Sequence, residues 1–135
     1  MKKKLIAATL VLPLLSLVGC KKDFTQDDVK NYITTGTWHV SFYSVNANAS
    51  FAFDDYDFTF SENGNLNIHK SGTNINGTWM LSEIDKETVL DISAGHTSPF
   101  DELSNDWEVD DAKPTRIETE NNDNGVSSYL TFEKN

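Results

Sequence analysis

With a single cysteine, Cys20, the chain can form no intramolecular disulfide, so its stability must come from core packing. Cations are scarce: 11 Lys and Arg stand against 21 Asp and Glu in 135 residues. A body so acidic is repelled by nucleic acid and by anionic surfaces, which argues against a nucleic-acid partner. The three histidines, His39, His69 and His96, are scattered, none at metal-ligand spacing from another. There is no Gly-x-Ser-x-Gly elbow, and the serines fall in turns. The expectation is therefore no enzyme, no metal and no cofactor. Asp54, Asp55, Tyr56, Asp57 lacks the spaced oxygen ligands and glycine turn of a calcium loop. Those carboxylates, with Asp101, Glu102, Asp106, Glu108, Asp110 and Asp111, read as the solvated outside of a small β-domain.

Long apolar runs are missing too, apart from Leu5 to Val18, which follows Lys2, Lys3 and Lys4. A cationic start and a short apolar run make a secretory leader, and the run falls short of the roughly 20 residues that a permanent span needs. At its end Leu17, Val18, Gly19, Cys20 resembles the lipobox of bacterial lipoproteins. That resemblance implies that Cys20 is acylated and becomes the new N-terminus. Each acyl CH2 buried contributes about 0.8 kcal/mol, so two or three chains anchor stably. The expected organisation is a removed signal peptide over 1–19, a lipidated tether and short helix over 20–35, and one β-domain over 36–135. Loss of Lys2, Lys3 and Lys4 leaves eight cations against 21 acids, net −13. Lys21 and Lys22 can sit among anionic head groups while the body is pushed away. The expected location is the bacterial cell envelope, at the outer membrane.

Thr25 followed by Asp28 has the form of a capping box, opening a helix through about Ile33 with Val29, Tyr32 and Ile33 on one face. From Gly36 the hydrophobic period becomes two. Trp38, Val40 and Phe42 then point one way, with His39, Ser41 and Tyr43 opposite. Asn46 to Ser50 reads as a loop. Strands are expected around Tyr56–Phe60, Leu66–Ile68, Ile75–Leu81, Leu90–Ile92, Trp107–Val109, Thr115–Thr119 and Leu130–Phe132. Turns are expected at Asn63 with Gly64, at Ser71 with Gly72, at Asp85 with Lys86, at Asp111–Pro114 and at Asn121–Gly125. The long connection, 94–105, carries a helical turn with Phe100 and Leu103. The fold class is all-β: about eight antiparallel strands in an up-and-down barrel after a short helix, since closure removes exposed edges. A two-sheet sandwich is the alternative.

Gly36, Thr37, Trp38 after a short helix is similar to the Gly-x-Trp signature of lipocalins. The whole of 36–135 resembles the small lipocalin-like domains of Bacteroidota lipoproteins. The matching residues are Gly36 to Trp38, Asn63 with Gly64, Gly77 to Trp79, Pro99 to Leu103 with Trp107, Arg116 with Ile117, and Tyr129 to Phe132. In lipocalins a basic residue near the last strand covers the tryptophan; Arg116 and Lys134 are the two candidates here.

The inward set is expected to include Trp38, Phe42, Tyr56, Phe58, Phe60, Trp79, Trp107 and Phe132. Of these, Trp38, Phe42, Tyr56, Phe58, Trp79 and Trp107 are the candidate lining of a site for a small apolar or amphipathic ligand, as the resemblance implies. An eight-strand barrel is only just wide enough for its own side chains or one small ligand. The competing reading is a filled barrel that docks an envelope protein or a glycan through 46–50 and 94–105.

Overall fold

A computed structural model describes residues 22–135; Cys20 and the leader lie outside the described residues. Helix α1 spans Gln26–Ile33. Its capping box is formed in both directions: the Thr25 hydroxyl accepts from the Asp28 N–H, and the Asp28 carboxylate accepts from the Thr25 N–H at 2.8 Å. Val29 and Ile33, four residues apart and so on one helical face, are fully buried.

Nine strands follow: β1 Trp38–Val45, β2 Asn48–Ala49, β3 Asp57–Phe60, β4 Asn65–Lys70, β5 Thr73–Ile84, β6 Glu87–Ser93, β7 Asn105–Lys113, β8 Arg116–Asp123 and β9 Val126–Lys134. All pairings are antiparallel, in the order β2-β1-β3-β4-β5-β6-β7-β8-β9. Pairing of β1 with β9, from Trp38 opposite Lys134 to Val45 opposite Ser128, closes eight strands into a barrel. The two-residue β2 hangs on β1 as the extra strand. Asn46 and Ala47, expected within a loop, form a tight turn with φ of 47° and 63°, joining β1 to β2. Asp85 and Lys86 also form a hairpin turn, with φ of 52° and 67° and no glycine.

Both ends of the barrel are shut. At one end α1 inserts Val29 and Ile33, and the Trp38 indole donates to the Ile33 carbonyl at 3.0 Å, satisfying one of the helix's last orphan carbonyls. At the other, Phe53 from the β2–β3 loop packs against Tyr43 and Phe100, and Tyr56 stacks edge-on against Phe100 at 5.2 Å. Phe100 belongs to a 3-10 turn, Phe100–Glu102, within the long β6–β7 connection. Trp107 donates to the Leu103 carbonyl and Trp79 to the Ser61 carbonyl, each at 2.9 Å. Buried indoles need a partner, and all three take theirs from backbone carbonyls rather than from Thr, Ser or Asn side chains.

The expected inward set needs one correction. A register shift between Val40 and Phe42 puts an extra residue into β1, so beyond it the alternation inverts. Tyr43 turns into the core at 3% exposure, and Phe42 turns out at 46%. Tyr56 lies just before β3 and is half-buried. Trp38, Phe58, Phe60, Trp79, Trp107 and Phe132 are buried as expected.

Candidate functional site

Of the six candidate lining residues, the structure brings Trp38, Phe58 and Trp107 together at zero exposure in the core. All three belong to one buried hydrophobic cluster. Phe58 meets Phe132 edge-on at 5.4 Å, Phe60 meets Phe132 at 5.5 Å, and Phe60 meets Trp79 at 5.8 Å. Lys134 extends its aliphatic stem beneath Gly36 and places Nζ 4.9 Å from the centre of the Trp38 ring, so Lys134, not Arg116, covers this tryptophan. Tyr56 carries the Lys70 ammonium at 4.8 Å from its ring.

The larger cavities avoid this core. One of about 420 Å³ lies beside α1 and is lined by Trp79, Met80, Leu81, Gln26 and Lys30 among others. A second, of about 260 Å³, runs along the outer face of β6–β8, between Ile84, Val89 and the carboxylates of Glu87, Glu108 and Glu120. The third and largest, about 530 Å³, is a groove on the outside of β7, β8, β9 and β1. Its floor is Thr119 and Thr131, buried at 2% and 6% exposure, and its walls include Phe42, Tyr129, Asp110, Glu118 and Glu133. Trp38, Phe58 and Trp107 line none of the three.

Strand register builds the groove. Phe42 lies opposite Thr131 on β9, which lies opposite Glu118 on β8. Ser44 lies opposite Tyr129, Tyr129 opposite Glu120, and Glu120 opposite Glu108. Two exposed aromatics are thus set diagonally against two acidic rows. Arg116 is the groove's cation, 2.8 Å from Glu118 and 3.9 Å from Glu133.

Beyond the groove the acids crowd one another. Carboxylate oxygens of Glu108, Asp110 and Glu120 lie within 4.8 Å of one another. Burial, then Glu120, Glu108 and Glu118, push the Asp110 carboxyl up to about 6, with Lys22 pulling it back. Asp91 faces Asp106 across β6 and β7; burial and then that neighbour raise its carboxyl as well. The Lys22 ammonium reaches Glu87, stands 3.5 Å from Glu108, and donates to the Val109 carbonyl at 2.9 Å. Burial draws its pKa down, but those carboxylates outweigh burial and leave it raised.

Sequence reasoning placed the carboxylates of β7 on a solvated face, but it named neither Glu118 nor Glu120 as their neighbours. The available signal was the alternation of acids at 106, 108 and 110 and again at 118 and 120; adjacency across the sheet comes from register. Tyr129 was not named as exposed, although its alternation with the buried Leu130 and Phe132 places it on the outer face.

Among the described residues no helix is long and apolar enough to cross a membrane. No family model matches the chain, and no curated protein matches it. Two solved structures do. A DUF4847 family protein from Bacteroides vulgatus superposes with a TM-score of 0.56 at 18% identity, covering 79% of this chain and 97% of its own. An uncharacterized protein from Bacteroides eggerthii gives a TM-score of 0.45 at 12% identity, with 74% and 98% covered. At such identities the likeness is one of fold, and what this chain shares with the Bacteroides vulgatus protein is the barrel.

Proposed function

We propose that this chain is a lipid-anchored, non-enzymatic module of the bacterial envelope whose barrel is filled by its own side chains and which acts by docking a partner on its outside. The observation that carries this reading is the interior. Its aromatic rings meet one another edge-on, its two ends are closed by α1 and by Phe53 with Phe100, and Trp38, Phe58 and Trp107 line none of the larger cavities. Anchoring at Cys20 rests on the lipobox-like Leu17 to Cys20, and the lipocalin-like character on Gly36 to Trp38 with Lys134 over the indole.

A second reading, a binder of one small apolar or amphipathic molecule, draws on the cavity beside α1, where Trp79, Met80 and Leu81 meet. Titrating the chain lacking residues 1–20 with a fluorescent fatty acid separates the two. The filled barrel predicts a cooperative melt and no saturable energy transfer from the three tryptophans. Saturable, reversible transfer that Trp79→Phe diminishes would establish the second reading instead. For the anchor, Cys20→Ala is expected to leave a precursor that is neither cleaved nor acylated; a mature-size variant that still partitions into detergent would overturn it.

A further inference from the structure

The outer groove is built unlike the rest of the surface. Phe42, at 46% exposure, and Tyr129, at 42%, flank it. Phe42 also borders a shallow depression that it shares with Phe51, which is 79% exposed. Three aromatics therefore run in a strip from the β2–β3 loop across β1 to β9. Exposed aromatics grouped on neighbouring depressions, rather than scattered singly, mark a contact surface, and Tyr and Phe are enriched at protein interfaces.

Charge decides what fits. Asp110, Glu118 and Glu133 line the groove against Arg116 alone. Beyond it the sheet holds Glu108 directly opposite Glu120, and Asp91 opposite Asp106. Like charges facing across strands are destabilising, and Lys22 offsets part of this at Glu87, Glu108 and Asp110, so a further cation would relieve what repulsion is left. Aromatic faces are also attractive to cations, most of all to guanidinium groups that can lie flat on them. The seat that Arg116 takes between Glu118 and Glu133 shows that the groove's carboxylates can hold a guanidinium.

From the aromatic strip and the carboxylates beside it, we infer that this groove docks a basic segment of a partner protein, with arginine or lysine side chains laid over Phe42 and Tyr129 and paired to Asp110, Glu118 and Glu133. The inference rests on the outside-docking reading above and names the partner's chemistry. An anionic polymer or membrane would meet the wrong sign of charge here.

The test uses the full chain in neutral detergent and a dye-labelled peptide of alternating arginine and leucine, followed by fluorescence anisotropy. The expected result is saturable binding that weakens with salt and is absent for the same peptide with citrulline in place of arginine. Phe42→Ala and Tyr129→Ala are each expected to weaken binding by about tenfold, the scale of a desolvated cation on a ring. Arg116→Ala, which vacates a seat among the carboxylates, is expected to tighten it. Where an alanine variant fails to melt cooperatively, Glu118→Gln with Glu133→Gln carries the test, and wild-type affinity in that double variant overturns the inference. It is also overturned if the citrulline peptide binds equally, or if folded Phe42→Ala and Tyr129→Ala bind as the wild type does, which would make the attraction a general one between a basic peptide and an acidic protein. None of these outcomes bears on the filled barrel, which the fatty-acid titration tests separately.

Discussion

Gly77 shows how much a single residue can decide. A Cβ built there would lie 2.3 Å from the Ser93 carbonyl oxygen, because the backbone of Ser93 and Ala94, where β6 ends, lies against Gly77. Backbone cannot yield as a flexible side chain can, so Gly77→Ala is expected to cost at least ~2 kcal/mol, read as a lowered denaturant midpoint. Asp110 makes the opposite case. Its folded-state pKa, about 6, exceeds the ordinary 3.8, so folding favours the protonated form. At pH 7 the ionised carboxylate opposes folding, and that opposition fades as pH falls through 6. Since the group is only half-buried and solvent screens its neighbours, Asp110→Asn is expected to stabilise by no more than about 1 kcal/mol at pH 7 and to flatten the melting-temperature profile between pH 7 and 5. A wild-type profile that falls steadily from pH 7 to 5 would contradict this.

Among the elements, α1 and the hairpins are the parts most legible in the sequence, since their signals are local. Thr25 and Asp28 announce the helix start, and Thr25→Ala is expected to cost about 1 kcal/mol in thermal unfolding. The Asp85–Lys86 turn was legible from its position between two alternating runs, although Lys86, unlike Asp85, is of a type that seldom takes positive φ. Lys86→Gly is accordingly expected to stabilise by ~0.5–1 kcal/mol, measured the same way. What the sequence hides is the bulge in β1. Trp38, Val40, Phe42 is a clean period-two pattern, and nothing local says that an extra residue will interrupt it. The interruption comes from pairing: only Trp38 of β1 pairs with β3, and the β2–β3 loop drives Phe53 into the space beyond, where Tyr43 must turn inward to meet it. A local reading therefore puts Phe42 in the core, whereas the long-range contact puts it on the groove. The same limit applies to Lys134, whose place over Trp38 follows from the register of strands nearly a hundred positions apart in sequence.

For the molecule as a whole, the eight barrel strands and the preceding helix follow from the sequence because the strands carry period-two runs and the links are short apart from 46–56 and 94–104. The candidate site does not follow in the same way, since it is a property of the outer face, where alternation says only that residues are polar. The seam between β1 and β9 holds the whole together, tying Trp38 to Lys134 at one end and Val45 to Ser128 at the other. Removing 126–135 strips β8 and β1 of a shared neighbour and opens the barrel, and the truncated chain is expected to lose its cooperative melt and to bind a hydrophobic dye.

That seam also sets an order in time. The first strand waits for β9, so a chain emerging N-terminus first cannot close its barrel until 126–134 are free, and pairings this distant are slow to find. Until then Phe58 lacks the Phe132 ring that meets it and β1 lacks one of its neighbours, so the barrel stays an open, threadable sheet while β9 is still being delivered.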